Sequence, residues 1–385
     1  CILNYKIILQ LIQRKNKIFL SILLISIFIF PYNNYEFNKN LDDSIIKYFS
    51  YLRYLFMSIG LIIYLKLNEN TNFFLSKVKK YYLFFLIIIS LDIILEFFSG
   101  SNIFGFFTLY PGRIASFTGD ELIIGYVFAF ITLFSINNNI LRWNKAYLIL
   151  LFFLIFILSF IIGERSNFIK LTTIIFIFSL FHFLVVNKLN FKKLFQFFIL
   201  LLLFIISFTF VMKNTPQAKK FYNSYNLIKI LKNENLQLEK LFYENKHFAH
   251  YDAAIKIFLN NPLFGIGINN FREESEKTKY KSEKFKFTND RSSNHPHQVY
   301  FEILAEVGLV GFIYLIGFNF LVLVKAIKIY WKNKNLDMLG HIMLHVFFIY
   351  PILPSGSFFG TNYGLPYWFN FSFLIFFVFF KKYKI

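Results

Sequence analysis

Three groups of residues in this chain have the type and spacing to do chemistry. The first is His295-Pro296-His297-Gln298, which closes a long polar segment and runs straight into the apolar stretch Val299–Gly311. An imidazole at the mouth of an apolar helix can hold or move a proton near neutral pH, which makes His297 a candidate general base. It could equally cap the incoming helix. The second is Arg113 in Tyr110-Pro111-Gly112-Arg113, where a Pro-Gly turn presents the guanidinium. The third is Arg165 in Gly163-Glu164-Arg165-Ser166-Asn167, a tight break between two apolar runs. Burying an arginine in hydrocarbon costs about 2.5–3.5 kcal/mol, so an arginine at such a break needs a partner or a task. Its planar fork suits phosphate oxygens. Each arginine could also pair locally, with Asp120 or Glu164. Two lone arginines on a face otherwise poor in basic residues favour an anionic ligand.

Other titratable residues are candidates for support. His247, His250 and His295 accompany His297, yet their spacing matches no characteristic metal-ligand pattern, so no metal is expected. Glu302 and Glu306 share one helix face, as do Asp92 and Glu96. Carboxylates in an apolar run must turn inward, and these could brace the arginines, as could Glu121. His341 and His345 also share a face, but lack the glutamate of a zinc protease motif and read as packing residues. No Walker loop, G-x-S-x-G, HExxH or Asp-x-Asp motif occurs. A transferase acting on a metal-held nucleotide sugar is therefore disfavoured.

The elements that must position these residues are transmembrane helices. Hydrophobic residues make up 57% of the 385 residues, aromatic residues 22%, and the mean hydropathy is +0.53. A soluble chain averages about 45–50% apolar. The excess lies in about ten runs of spanning or near-spanning length. They are Ile18–Tyr32, Tyr48–Leu65, Tyr81–Phe98, Leu122–Ile136, Ala146–Ile162, Phe168–Val186, Phe195–Met212, Val299–Val324, Leu339–Leu353 and Pro366–Phe380. The expected fold is all-α, a polytopic transmembrane bundle with one large outer loop. It divides into an N-terminal bundle over 1–212, the loop over 213–298, and C-terminal helices over 299–385.

The net charge of +20 does not point to nucleic acid, because the lysines and arginines sit in short connections between apolar runs. Basic connections alternate with Lys-poor ones. The positive-inside rule then puts both termini in the cytoplasm and Arg113, Arg165 and the histidine-rich loop end on the opposite face. The single cysteine, Cys1, permits no intramolecular disulfide. The chain opens on Cys1 rather than Met, so processing or a truncated start is expected.

Within the long segment, apolar positions recur at helical spacing from His247 to Leu259, which predicts an amphipathic interfacial helix. Asn260-Asn261-Pro262 ends it, and Gly265-Ile266-Gly267 predicts a flexible turn. That GxG does not follow a strand and is weak evidence for nucleotide binding. The charged stretch Phe271–Arg291 is expected to be mobile.

Taken in order, these segments resemble the O-antigen ligase and O-antigen polymerase superfamily of bacterial membrane glycosyltransferases. The resemblance rests on Arg113 with Phe117–Gly125, on Gly163-Glu164-Arg165-Ser166, and on Tyr251–Phe271 with its Pro262-Leu263-Phe264-Gly265-Ile266-Gly267 turn. The most specific segment is His295-Pro296-His297-Gln298 through Glu306-Val307-Gly308-Leu309-Val310-Gly311. An arginine common in the family shortly before the Pro-Leu-x-Gly-x-Gly turn is replaced in this neighbourhood by His247 and His250. The family also has nearer twelve spans.

The resemblance implies a periplasmic reaction in the inner membrane. An undecaprenyl-pyrophosphate-linked glycan would be the donor, and lipid A–core or another lipid-linked glycan the acceptor. Arg113 and Arg165 would hold the pyrophosphate, His297 would serve the acceptor hydroxyl, and no cofactor would be needed. From a different class, a polysaccharide-unit flippase or other transporter would show repeated halves and broken helices near the midplane. No internal repeat is present.

Overall fold

The computed structural model describes residues 41–68, 70–121, 123–136, 145–186, 208, 212–222 and 242–381. Among them there is no strand; every regular element is helical. The principal helices are α1 (Leu41–Leu67), α2 (Thr71–Ser99), α3 (Ile124–Ser135), α4 (Lys145–Ile161), α5 (Arg165–Val186), α6 (Lys246–Asn260), α7 (Phe271–Ser275), α8 (Val299–Asn333), α9 (Leu336–Phe348) and α10 (Thr361–Ile375). Four helical stretches among the described residues are long and apolar enough to cross a membrane: Phe49–Leu67, Thr71–Ser99, Val299–Asn333 and Thr361–Phe380. Three further expected runs coincide with shorter apolar helices, Ile124–Ser135, Leu150–Ile161 and Leu336–Phe348. The run Phe168–Val186 lies inside α5, whereas Ile18–Tyr32 and nearly all of Phe195–Met212 lie outside the described residues.

The chain forms two compact units. One comprises Cys1–Thr71, Gln237–Ala326 and Phe348–Ile385, the other Asn72–Leu236 and Ile327–Phe347. In the first unit, α1 packs on α10 through aromatic edges. Tyr51 meets Trp368 at 6.1 Å between ring centroids and Phe359 at 5.5 Å. The Ser58 hydroxyl donates to the Trp368 carbonyl. Such edge-to-face contacts add about 0.5–1.5 kcal/mol each beyond area burial.

A second core in this unit lies among polar segments. Ala253, Ala254 and Ile257 of α6 pack with Ile266, Phe271, Tyr280 and Ala305. The amphipathic period of α6 has its physical basis here, since its small face is buried in protein while Ile255 and Leu259 stay exposed. Asn245 caps α6, its side chain accepting from the His247 N–H at 3.0 Å.

The segment between α7 and α8 is folded, contrary to the expectation of mobility. Tyr280 is fully buried and donates to Glu274 at 2.8 Å. The buried Arg291 donates to the carbonyls of Glu276, Lys277 and Thr288 at 2.6–3.2 Å. Composition alone suggested a solvated charge run, whereas this arginine serves as an internal clamp.

In the second unit, Lys79 is buried where α2 passes α3 and α9. Its ammonium donates to the Ile136 carbonyl at 2.7 Å and to the Asp337 carbonyl at 3.1 Å. It also lies 3.5 Å from the Asp337 carboxylate. A buried lysine needs this complete set of acceptors. At the end of α4, Phe160 meets Phe168 of α5 at 5.7 Å and stacks on Phe221 at 5.2 Å. His341 packs edge-on against Phe134 at 5.0 Å, in keeping with a packing role.

Candidate functional site

The arginines of the second unit are set by backbone contacts. Gly112 and Gly163 both have positive φ, 71° and 78°. A Cβ on Gly163 would lie 1.9 Å from the Gly112 carbonyl oxygen, and one on Gly112 would lie 2.8 Å from the Pro216 carbonyl. Three chain segments therefore meet backbone to backbone, an approach only glycine permits. The Ile114 N–H donates to the Ile162 carbonyl at 3.2 Å, and the buried Gln217 amide donates to the Ile161 carbonyl at 3.2 Å. Each of the two residues that follow, Arg113 after Gly112 and Arg165 two places after Gly163, is carried to this junction.

Lys220 lies with them. Its ammonium donates to the Gly112 carbonyl at 3.4 Å, and Arg165 donates to the Lys220 carbonyl at 3.3 Å. Partial burial lowers the Lys220 pKa, and the charges of Arg113 and Arg165 lower it further. Three cations thus share one region. Arg113 lines a cleft of about 250 Å³ together with Glu96, Thr108, Tyr110, Pro216 and Gln217.

Glu164 does not close this cluster as a local ion pair. Its carboxylate accepts from the Gly125 N–H at 2.9 Å and from the Asn167 amide at 2.5 Å. Burial raises its pKa, while those hydrogen bonds and the Arg113 and Lys170 charges act in the opposite sense. Among the described residues, the Arg113 guanidinium is in no ion pair.

Asp92 and Glu96 hold the segment before and after the arginine turn. Glu96 accepts from the Ala115 and Ser116 N–H groups at 2.8 and 2.6 Å. Asp92 accepts from the Ile103 N–H at 2.9 Å and from the Ser116 hydroxyl at 2.6 Å. Glu121 ends the following 3-10 segment with its side chain exposed.

The histidines gather in the first unit. Ring centroids of His295, His250 and His247 lie 4.3, 5.2 and 5.3 Å from that of His297. His250 is held by the Arg291 carbonyl at 2.8 Å, and His295 by the Ser355 carbonyl at 3.3 Å. The Ser355 N–H donates to the His297 carbonyl at 2.8 Å. His297 itself takes a positive φ of 58°, unusual for a residue with a side chain. The helix cap is Gln298, whose side-chain oxygen accepts from the Tyr300 and Phe301 N–H groups at 2.7 and 3.2 Å. The capping alternative for His297 is thereby removed.

Burial, and then the neighbouring imidazoles, depress these groups. The His297 pKa falls to about 2 and that of His295 to about 4. His250 is also lowered, by burial first. An imidazole poised near 7 was expected; crowding instead keeps His297 neutral. Among the described residues, no three histidine, cysteine or acidic side chains are arranged to hold a metal ion.

Glu302 and Glu306 brace loops of the same unit. Glu302 accepts from the Ser357 hydroxyl and from the Phe358 N–H at 2.7 Å, fixing the loop that carries Ser355. Glu306 accepts from the Asn269 and Phe271 N–H groups at 2.8 and 3.2 Å.

The Gly265-Ile266-Gly267 turn is tied rather than flexible. Ile266 and Gly267 donate to the carbonyls of Ala305 and Glu306, while Leu309 and Val310 donate back to Pro262 and Leu263, all within 3.1 Å. This exchange requires α8 to break at Gly308, which has φ 65° and ψ −169°. A Cβ there would lie 2.4 Å from the Leu263 carbonyl oxygen.

Sequence reasoning missed Gln217, Lys220, Ser355 and Ser357, and it placed Gln298 in the histidine motif without giving it the capping role. Gln298 alone among these carried a local signal, as the polar residue directly before the apolar run.

Apolar helices of spanning length among the described residues mark a helical membrane protein, which carries a three-cation junction in one unit and a buried histidine cluster in the other. Residues 150–316 match the family model described as O-antigen ligase, which supports the O-antigen ligase/polymerase superfamily for this chain. No curated protein sequence matches it.

Proposed function

We propose that this protein is a periplasm-facing glycosyltransferase of the O-antigen ligase/polymerase type. It moves a saccharide from undecaprenyl pyrophosphate to a hydroxyl of an acceptor glycan, in lipopolysaccharide or surface-polysaccharide assembly. The family match supports the reaction class, and the observation that carries the chemistry is the Gly112–Gly163 backbone contact that gathers Arg113 and Arg165 about Lys220.

In this reading the acceptor oxygen attacks the anomeric carbon. The bond from that carbon to the pyrophosphate oxygen breaks, and the electron pair leaves with lipid pyrophosphate. Arg113 and Arg165 offset the charge that develops on the leaving group, a role in which preorganised donors act strongly. Neutral His297 accepts the hydroxyl proton. Burial weakens this imidazole as a base, so it can take the proton only as the new C–O bond forms and not by prior deprotonation. The Arg and Lys cations take the part a divalent metal plays in nucleotide-sugar transferases. The remaining histidines, with Glu306 and Glu302, hold the position of His297 and of the turn beside it.

A gel of surface lipopolysaccharide from a strain lacking the gene tests this proposal. Bare core, with polymer retained on the lipid carrier, identifies a ligase. Core bearing a single repeat unit identifies a polymerase. An unchanged ladder contradicts both.

A further inference from the structure

The segment that follows α2 is more apolar than a connection between helices requires. No charged residue occurs from Ser99 to Gly112. Phe98, Ile103, Phe104, Phe106, Phe107, Leu109 and Tyr110 are each between 52% and 82% exposed. So many large apolar side chains on one short loop mark a surface that meets something apolar.

The backbone beneath them is prepared for a dry environment. Every N–H from Gly100 to Phe106 has an acceptor. Gly100 donates to the Glu96 carbonyl, Ser101 to the Ser99 hydroxyl, Asn102 to the Phe106 carbonyl and Gly105 to the Asn102 carbonyl. Ile103 donates to the Asp92 carboxylate, and Phe104 and Phe106 to the Asn102 side chain at 3.0 and 2.8 Å. Asn102 is buried and donates in turn to the Ser116 carbonyl. From Gly100 to Phe106 the loop thus has its N–H groups paired within the protein while its rings turn outward, the reverse of a solvated turn. Irregular backbone survives near hydrocarbon only when its polar groups are satisfied internally.

We propose that residues 98–110 are a membrane-inserted lip whose partner is bilayer lipid. Continuity singles out that partner. The loop begins where a candidate span ends, and the exposed side of that span, with Phe84, Ile87, Leu91 and Leu95, runs into Phe98. Aromatic residues at this level sit at the boundary between headgroups and chains. Thr108 and Tyr110 also line the cleft of Arg113, so the lip holds that guanidinium at headgroup depth. Insertion of the lip rests on these contacts and does not require the transferase reading.

Cys1 is the only cysteine, which makes site-specific labelling direct. In a Cys1→Ser background, Phe107→Cys and Leu109→Cys are labelled with an environment-sensitive fluorophore and reconstituted in liposomes without donor. Lys284→Cys, exposed on the polar segment, is the aqueous control. Blue-shifted emission at 107 and 109, quenched severalfold more by nitroxide on lipid chains than at 284 and protected from iodide, is the expected result. Water-like emission quenched by iodide overturns the proposal. Blue-shifted emission that lipid nitroxide does not quench also overturns it, because protein then covers the loop. If the labelled variants fail to fold, carbene photolabelling of the unaltered protein from lipid chains decides the same question: adducts on 103–110 are expected, and their absence contradicts insertion.

Discussion

Gly112 and Gly163 matter to the two arginines as much as the guanidiniums themselves. Any side chain on Gly163 would collide with the Gly112 carbonyl in a backbone conformation that already disfavours side chains. Gly163→Ala is expected to destabilise the protein by on the order of 1–3 kcal/mol. It should abolish transfer with Arg165 intact, read by thermal unfolding in detergent and by glycan transfer. Lys220→Gln should raise KM for the lipid-linked donor more than it lowers kcat, since it removes one of three cations without touching the proton acceptor. The histidines yield a pH prediction. With His297 held near 2 and His295 near 4, both stay neutral through the mildly acidic range. The acid limb of kcat/KM should then lie well below pH 6, where an unperturbed histidine would place it. An acid limb at 6–7 would show that His297 titrates freely and that the cluster is not packed as described.

Among the elements, α8 and the turn that enters it form one device. The turn Pro262–Gly267 and the break at Gly308 exchange hydrogen bonds in both directions, and Glu306 holds the next two N–H groups. Glu306→Gln replaces a carboxylate that accepts twice with an amide that must bury two donors. The expected loss is about 1–3 kcal/mol, measured as lower thermal stability without a selective effect on kcat. The sequence made part of this legible. The apolar period of α6, the break at Gly163 and the polar residues before Val299 are local signals, and each lies where the pattern put it. The tied turn was unreadable because its hydrogen bonds join segments some forty residues apart. Gly265-Ile266-Gly267 looked flexible, yet those glycines serve close backbone approach. The stretch from Phe271 to Arg291 looked mobile because its charge is plain in the sequence, whereas the carbonyls that receive Arg291 are not.

For the molecule as a whole, the buried neutral histidines set the response to acid. Their folded pKa values are depressed, so below about 6.5 the unfolded chain binds more protons than the folded one. Stability should therefore fall as pH drops through 6.5 towards 4, and His297→Gln should flatten that slope in a thermal-unfolding series. A slope unchanged by this substitution would show that the imidazole is solvated in the folded state. Apolar helices of spanning length and the O-antigen ligase match over residues 150–316 together describe a membrane protein, and transfer from a lipid-linked glycan is the reaction proposed for it. The most direct measurement is transfer by the purified protein in liposomes, supplied with an undecaprenyl-pyrophosphate-linked glycan and an acceptor glycan. Wild type should release lipid pyrophosphate in step with product. Arg165→Ala and His297→Ala should each lose at least about a hundredfold in rate, as removal of a charge-stabilising donor or a proton acceptor commonly costs. Full activity in either variant, with the fold intact, would contradict the assignment of these residues to the reaction.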